Sequence, residues 1–448
     1  MKKHTTNIDV LIVGAGASGI YAAKTLKEHG IKVLVLEATE RIGGRLFSKE
    51  IADSKHYVEL GGQWLAKEGQ TRLNDLIVRY QFKKSTNHQQ GRWMHDDGSR
   101  FVAKKEGSLP LSFFAALESL KFIKHLEKKA QSISLDAPWN TPSLDQVSLH
   151  AWLSQRFWLK ETEIYWRNRM EQALCCDLRK VSLLEVLLSA KTVGNFERYQ
   201  GAEHYFFSQG LANLFVQIVK DHEIDVRLNA PVHAVKQYTD HVVVTTENDE
   251  IDAKAVLFAV PPQTLRNITF DEQLPETFAN MLVDFVQGTV VKVVGVYAQK
   301  WWRNRGLSGL IMSQNGPFDV VVDSSFDTLE KGILVGLVTG SRASKLKDLN
   351  QEELKSKFEE YVQSALGVAP PLEDFLHMDW NQATYTQGAY SSKRALGHWL
   401  TARDALQSPF GRVYFAGTET AREWRGYVEG ALESGERQAR QIVDLLKR

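Results

Sequence analysis

Gly14-Ala15-Gly16-Ala17-Ser18-Gly19 sets three glycines in the GxGxxG spacing, and Glu37 follows 23 residues after the first of them. Each residue has a task in holding a dinucleotide. Gly14 makes a tight turn, Gly16 lets the backbone approach a pyrophosphate, and Gly19 lets helix and strand pack closely. Ala17 and Ser18 stand in the same turn as cofactor-binding candidates, and the N-terminus of the helix that follows supplies free N–H groups and a positive dipole end to the phosphates. Glu37 is placed to accept hydrogen bonds from an adenosine ribose. Stepping outward, the positioning elements read as a buried strand (Ile8 to Val13), a helix from Ile20 to His29 ended by Gly30, and a second strand over Lys32 to Leu36. The motif alone does not separate NAD from FAD.

Further glycine pairs follow. Glu37-Ala38-Thr39-Glu40-Arg41-Ile42-Gly43-Gly44-Arg45 precedes Glu59-Leu60-Gly61-Gly62-Gln63-Trp64. Such pairs suit a loop that tracks a long cofactor with its backbone. At the far end, Gly411 to Thr420 reads as a strand entering a glycine turn at Gly417 with Glu419 beside it. Trp424-Arg425-Gly426-Tyr427-Val428 then opens a terminal helix, whose N-terminus would stabilise an anion in front of it. Together these tracts resemble the flavin-containing amine oxidase superfamily, most closely bacterial monoamine oxidase-like enzymes. The resemblance implies FAD, with Ala38, Arg41, Gly43, Gly44 and Arg45 along its phosphate side and Gly62, Gln63 and Trp64 near the ribityl chain and isoalloxazine. It also implies that Gly417 is part of the cofactor site, that Glu419 contacts the ribityl chain, that Gly426, Tyr427 and Val428 lie along the isoalloxazine, and that Val232 bonds the adenine through its backbone.

In monoamine oxidases two tyrosines cage the reacting nitrogen, and the matching positions are Tyr390, in the tract from Trp380 to Tyr390, and Tyr427. Aromatic faces can orient an amine and exclude water. Animal monoamine oxidases carry a flavin-linking cysteine just before the first cage tyrosine. Ala389 stands there and has no nucleophile, so the resemblance implies non-covalent FAD. Lys292 lies in the apolar tract Gly288 to Val296, where burial is costly without a partner. It matches the family's lysine that holds a water against the flavin; the alternative is an edge-strand lysine reaching solvent. Trp380 would pack on the ring system. Leu174 and Cys175 match a pair lining the substrate cavity, or are plain core.

The organisation fits an α/β (mixed α+β) fold, with a Rossmann-type FAD-binding domain interleaved with a substrate domain of sheet plus helices. Residues 1–80, 208–283 and 382–448 would form the first, and residues 81–207 and 284–381 the second. Strand patterns at 225–228, 232–238, 242–246 and 255–259 follow a helix from Ala212 to Lys220 and lead to Pro261-Pro262, the family's order. The insert from 81 is helical and aromatic, and most of Phe113, Phe114, Trp152, Phe157, Trp158 and Trp166 read as core.

Composition narrows the classes. With 55 basic and 54 acidic residues in 448, nothing favours nucleic acid or an acidic membrane surface. No apolar window is long enough to span a bilayer, and a cytoplasmic protein is expected. The two cysteines, Cys175 and Cys176, are adjacent and suit a reducing compartment. No cluster has metal-ligand spacing. The resemblance implies oxidation of a primary or secondary amine to an imine, then aldehyde or ketone, with O2 reduced to H2O2; a homodimer is one assembly it permits. An L-amino-acid oxidase, with Arg425 holding the carboxylate, stays open. So do a dehydrogenase or desaturase using another acceptor and an FAD-binding scaffold without catalysis.

Overall fold

The strand Lys3–Val13 runs parallel to Val33–Leu36 on one side and to Asp249–Phe258 on the other. Neighbours on both sides and cores on both faces explain its uncharged run of buried residues. Alternation then sorts it: Val10 and Ile12 enter one core, Leu11 and Val13 the other. The computed structural model describes residues 3–271, 275–283, 285–346, 348–403 and 405–447. Within them this eight-stranded sheet runs Thr269–Phe270, Val232–Gln237, Val242–Thr246, Asp249–Phe258, Lys3–Val13, Val33–Leu36, Asp225–Arg227, with Val413–Phe415 parallel to the end of Asp249–Phe258.

The helix Ala17–Glu28 starts three residues before the sequence pattern suggests, because Gly16, extended at φ −75° and ψ 179°, already serves as its N-cap. It packs against the C-terminal helix Val428–Leu446, where the Ser18 and Ser434 hydroxyls meet at 3.4 Å. The strand read from Ala255 begins at Asp249, since a tight turn at Glu247-Asn248 pairs it with Val242–Thr246.

A second, seven-stranded sheet runs Leu372–Asp379, Val290–Tyr297, Gly332–Thr339, Val320–Asp323, Leu307–Ser313, Arg92–Asp96, Phe101–Lys104. Val290–Tyr297 is therefore interior, buried along its length, and Lys292 has no sheet edge from which to reach solvent. Helices Phe113–Gln131, Lys160–Leu174 and Leu183–Val193 build a separate core. That core takes in Trp152 and Trp166, with Phe157 at its margin. Phe113, Phe114 and Trp158 instead lie on the surface, so only half of the aromatics read there are core-forming. No described helix is long and apolar enough to cross a membrane.

A Cβ on Gly19 would lie 2.0 Å from the Gly14 carbonyl oxygen, so the first helix sits against the glycine turn only because position 19 has no side chain. Gly19→Ala should force helix and strand apart at a cost of about 1–3 kcal/mol. A lowered thermal unfolding midpoint would show it; an unchanged midpoint would contradict the close packing.

Candidate active site

Both sheets open onto one cavity of about 620 Å³. The first sheet brings Gly14, Gly16, Ala17 and Ser18 to its wall, and the second brings Lys292. No side chain caps either the helix at Ala17 or the helix at Val428, and both N-termini line this space. Two sets of unpartnered N–H groups with positive dipole ends thus face one cavity. At Gly16 a Cβ would meet nothing nearer than 3.9 Å, so the glycine leaves open room where backbone can approach a ligand.

Glu37 stands on the wall with its carboxylate fixed: Ala15 N–H donates to Oε2 at 2.8 Å, and the Thr39 N–H and hydroxyl donate to Oε1 at 2.9 and 2.8 Å. Its remaining lone pairs can take ribose hydroxyls. Arg41 braces the following loop, donating to the carbonyls of Leu46 and Gly44 and lying 4.3 Å over the Phe47 ring. Arg45 pairs with Glu419 at 2.6 Å and donates to the Tyr390 carbonyl at 2.8 Å. Ala38, Gly43, Gly44, Gly62, Gln63, Trp64, Val232, Gly417, Gly426 and Val428 line the cavity as well. Trp64 Nε1 is buried without a partner. An enclosed, glycine-lined cavity with two helix N-termini, a ribose-ready carboxylate and an orphaned indole N–H fits a dinucleotide cofactor along its length.

Lys292 Nζ donates to Gly61 O at 3.0 Å and to Gln63 Oε1 at 2.8 Å, and lies 5.3 Å from the Trp64 ring centre. Gln63 Nε2 donates in turn to Ser324 at 3.1 Å, which fixes the amide. Burial pushes the lysine pKa down, opposed by Glu59 and Glu203. Burial pushes Glu59 up, opposed by the Leu211 N–H and Ser48 hydroxyl it accepts from and by Lys292. Tyr390 and Tyr427 both line the cavity, and burial raises both phenols well above their ordinary value. Tyr427 is held edge-on by Trp424, with ring centres 5.3 Å apart, and by Tyr199 at 6.5 Å. Trp380 is on the same wall, its Nε1 donating to Leu60 O at 2.9 Å.

Four assigned residues, Leu174, Cys175, Glu419 and Gly19, are not on the wall. Leu174 is in the helical core, and Cys175 packs with Val290, Trp380 and Ala389; the preceding turn of that helix presents Arg169, Met170, Gln172 and Ala173 instead. Burial raises both thiols, Cys176 to about 12. Glu419 is a brace behind the wall: burial works to raise its carboxyl, but Arg45 and the Ser392 N–H hold it below its ordinary value. Gly19 serves packing. Arg425 does line the cavity, but its Nη2 pairs with Glu185 at 3.2 Å and its guanidinium lies 4.8 Å from the Trp399 ring, leaving Nη1 without a partner. Tyr199, Glu203 and Arg169 also line it, and no motif marks them.

A fold and a cavity of this kind define a dinucleotide-dependent oxidoreductase. The chain belongs to the flavin containing amine oxidoreductases, whose family model matches residues 17–443. Among curated proteins it is similar to amine oxidase [flavin-containing] B of Bos taurus, 29% identical over 98% of this chain and 86% of that one. The amine oxidase [flavin-containing] of Oncorhynchus mykiss is 28% identical over 97% and 85%. Among solved structures, cyclohexylamine oxidase from Brevibacterium oxydans superposes with a TM-score of 0.92 at 25% identity, covering 99% of this chain and 100% of the other. Putrescine oxidase bound to putrescine gives 0.90 at 27%, with the same coverage.

The depressed Lys292 has a measurable consequence. Between about pH 8 and 10.5 the unfolded chain holds a proton at this residue that the folded chain lacks, so stability rises with pH across that window. Lys292→Met should flatten the rise, by up to about 1.4 kcal/mol per pH unit. Unfolding midpoints recorded against pH for both proteins test this, and parallel curves would refute it.

Proposed function

We propose that this chain binds FAD without a covalent link and oxidises a primary or secondary amine to its imine, which water then hydrolyses to an aldehyde or ketone. The observation that carries this reading is the meeting of Tyr390, Tyr427 and Lys292 on the cavity that also holds the glycine-rich cradle. FAD held by the Gly14–Gly19 turn, Glu37 and the helix N-termini at Ala17 and Val428 would supply a two-electron acceptor for a hydride equivalent from the carbon beside nitrogen, with O2 as the final acceptor and H2O2 as the product.

The protein's part is orientation and electrostatics. The raised pKa values keep both tyrosines as neutral phenols, so they offer electron-rich faces without an anion that would trap the amine as ammonium. Lys292, fixed by Gly61 O and Gln63, keeps an N–H donor at a set point of the wall and can exchange a proton there. Uncapped N–H groups at Val428 favour negative charge at their end of the cavity. The cradle would belong to a unit of residues 1–80, 208–283 and 382–448, and the amine pocket to residues 81–207 and 284–381. The orphaned Nη1 of Arg425 favours a second reading, an L-amino-acid oxidase, although Glu185 already neutralises that guanidinium.

Anaerobic addition of aromatic and aliphatic amines should bleach the flavin, and air should restore the colour while H2O2 accumulates. Bleaching by an α-amino acid but not by its decarboxylated amine would move the assignment to the second reading; no bleaching by a broad panel would defeat both. Ala389 also predicts that acid precipitation leaves the yellow colour in the supernatant, and a yellow pellet would show a covalent link.

A further inference from the structure

Among the described residues four carboxylates line the cavity: Glu37, Glu185, Glu203 and Asp319. Three are committed. Glu37 takes the Ala15 and Thr39 donors. Glu185 takes Arg425 and the Trp399 indole. Asp319 takes Arg342 at 2.6 Å and Thr339. Glu203 alone has no hydrogen bond or ion pair among the described residues. It follows the short helix Phe196–Gln200 and is held from its far side, where His204 and Tyr205 N–H groups donate to Leu65 O and Leu65 N–H donates back to Tyr205 O. Leu65 follows Trp64, so this clamp sets the carboxylate at the part of the cavity that Trp64, Lys292 and the two tyrosines share. Its charge bears on Lys292, Tyr390 and Tyr427. Arg169 and Lys292 favour its ionised form from beyond contact distance. The acceptor sites of Glu203 therefore stay free.

Glu203 is accessible on the cavity wall and unpaired there, so a cation that enters the cavity can pair with it directly. It cannot usefully pair with the reacting nitrogen, because a carboxylate there would hold that nitrogen as ammonium, the form that cannot release a hydride. Resting on the amine-oxidase reading, we infer that Glu203 binds a second, non-reacting ammonium group, so that the substrates this site selects are diamines. The same charge repels substrates that bear a carboxylate.

Flavin-loaded wild type and Glu203→Gln are compared on butane-, pentane- and hexanediamine against butyl-, pentyl- and hexylamine. The variant should lose roughly 30-fold or more in kcat/KM on the best diamine, chiefly through KM, while the monoamine of equal length changes by less than about threefold. Glu203→Asp should recover part of the diamine preference. Equal losses on both classes, or no loss on either, would overturn the inference. Should wild type oxidise no amine, the amine-oxidase reading itself fails. Glu203 is then tested by diamine titration of the bound flavin's absorption spectrum: a perturbation lost in Glu203→Gln upholds the cation site, and identical titrations reject it.

Discussion

One ion pair holds the cavity's parts in register. Arg45 and Glu419, 374 residues apart, meet at 2.6 Å with the Glu419 side chain almost fully buried. The same guanidinium donates to the Tyr390 carbonyl, and the same carboxylate accepts the Ser392 N–H. The glycine loop after the second strand, the tract that carries the first tyrosine and the turn before the last helix are thus tied through two side chains. Desolvating such a pair costs about as much as its attraction returns, so its value lies less in net stability than in specifying one arrangement. Removing either partner would strand a charge in the interior, at about 3–5 kcal/mol.

Around that tie, recognition is divided between backbone and side chains. The wall at the glycine turns is largely backbone, with two uncapped helix N-termini beside the fixed Glu37 carboxylate. The other side is ionisable, and most of its charge is neutralised locally. Trp399 lies 4.4 Å from Arg394 and 4.8 Å from Arg425, while its indole N–H and Arg425 share Glu185. Asp319 and Arg342 form a similar closed pair. A cavity walled by such pairs has a low effective dielectric, in which a phenol stays protonated and a lysine tends to lose its proton.

What could be read from the chain followed from how local each constraint is. A glycine whose Cβ would sit 2.0 Å from a carbonyl oxygen, as Gly19's would from Gly14 O, has no substitute, and the short loop and first helical turn between them fix its place in the sequence. The strand–turn–helix unit, the β-meander and the terminal helix were legible for that reason. Lys292 was legible as an anomaly, but whether its strand was edge or interior depended on pairing with residues 332–339 and 372–379. The matched pair Leu174-Cys175 takes its core alternative because Cys175 leaves the helix in a left-handed conformation, φ 56°, turning that end into the core while the turn before it faces the cavity. Surface placement of Phe113, Phe114 and Trp158 was invisible because their residue types say only that they are apolar.

Glu203 was beyond reach for a further reason. A pyrophosphate must be approached by several consecutive N–H groups, so the sequence that holds it is fixed in spacing as well as in type. A cation needs only one carboxylate somewhere on the wall, and segments from either sheet or from the helical core could supply it. Selection of the cofactor is therefore written in patterns, and selection of the substrate in single residues such as the one between the helix Phe196–Gln200 and the strand Tyr205–Phe207. Such a residue can change without disturbing the tie between Arg45 and Glu419. This lets one cradle serve oxidases of many amines.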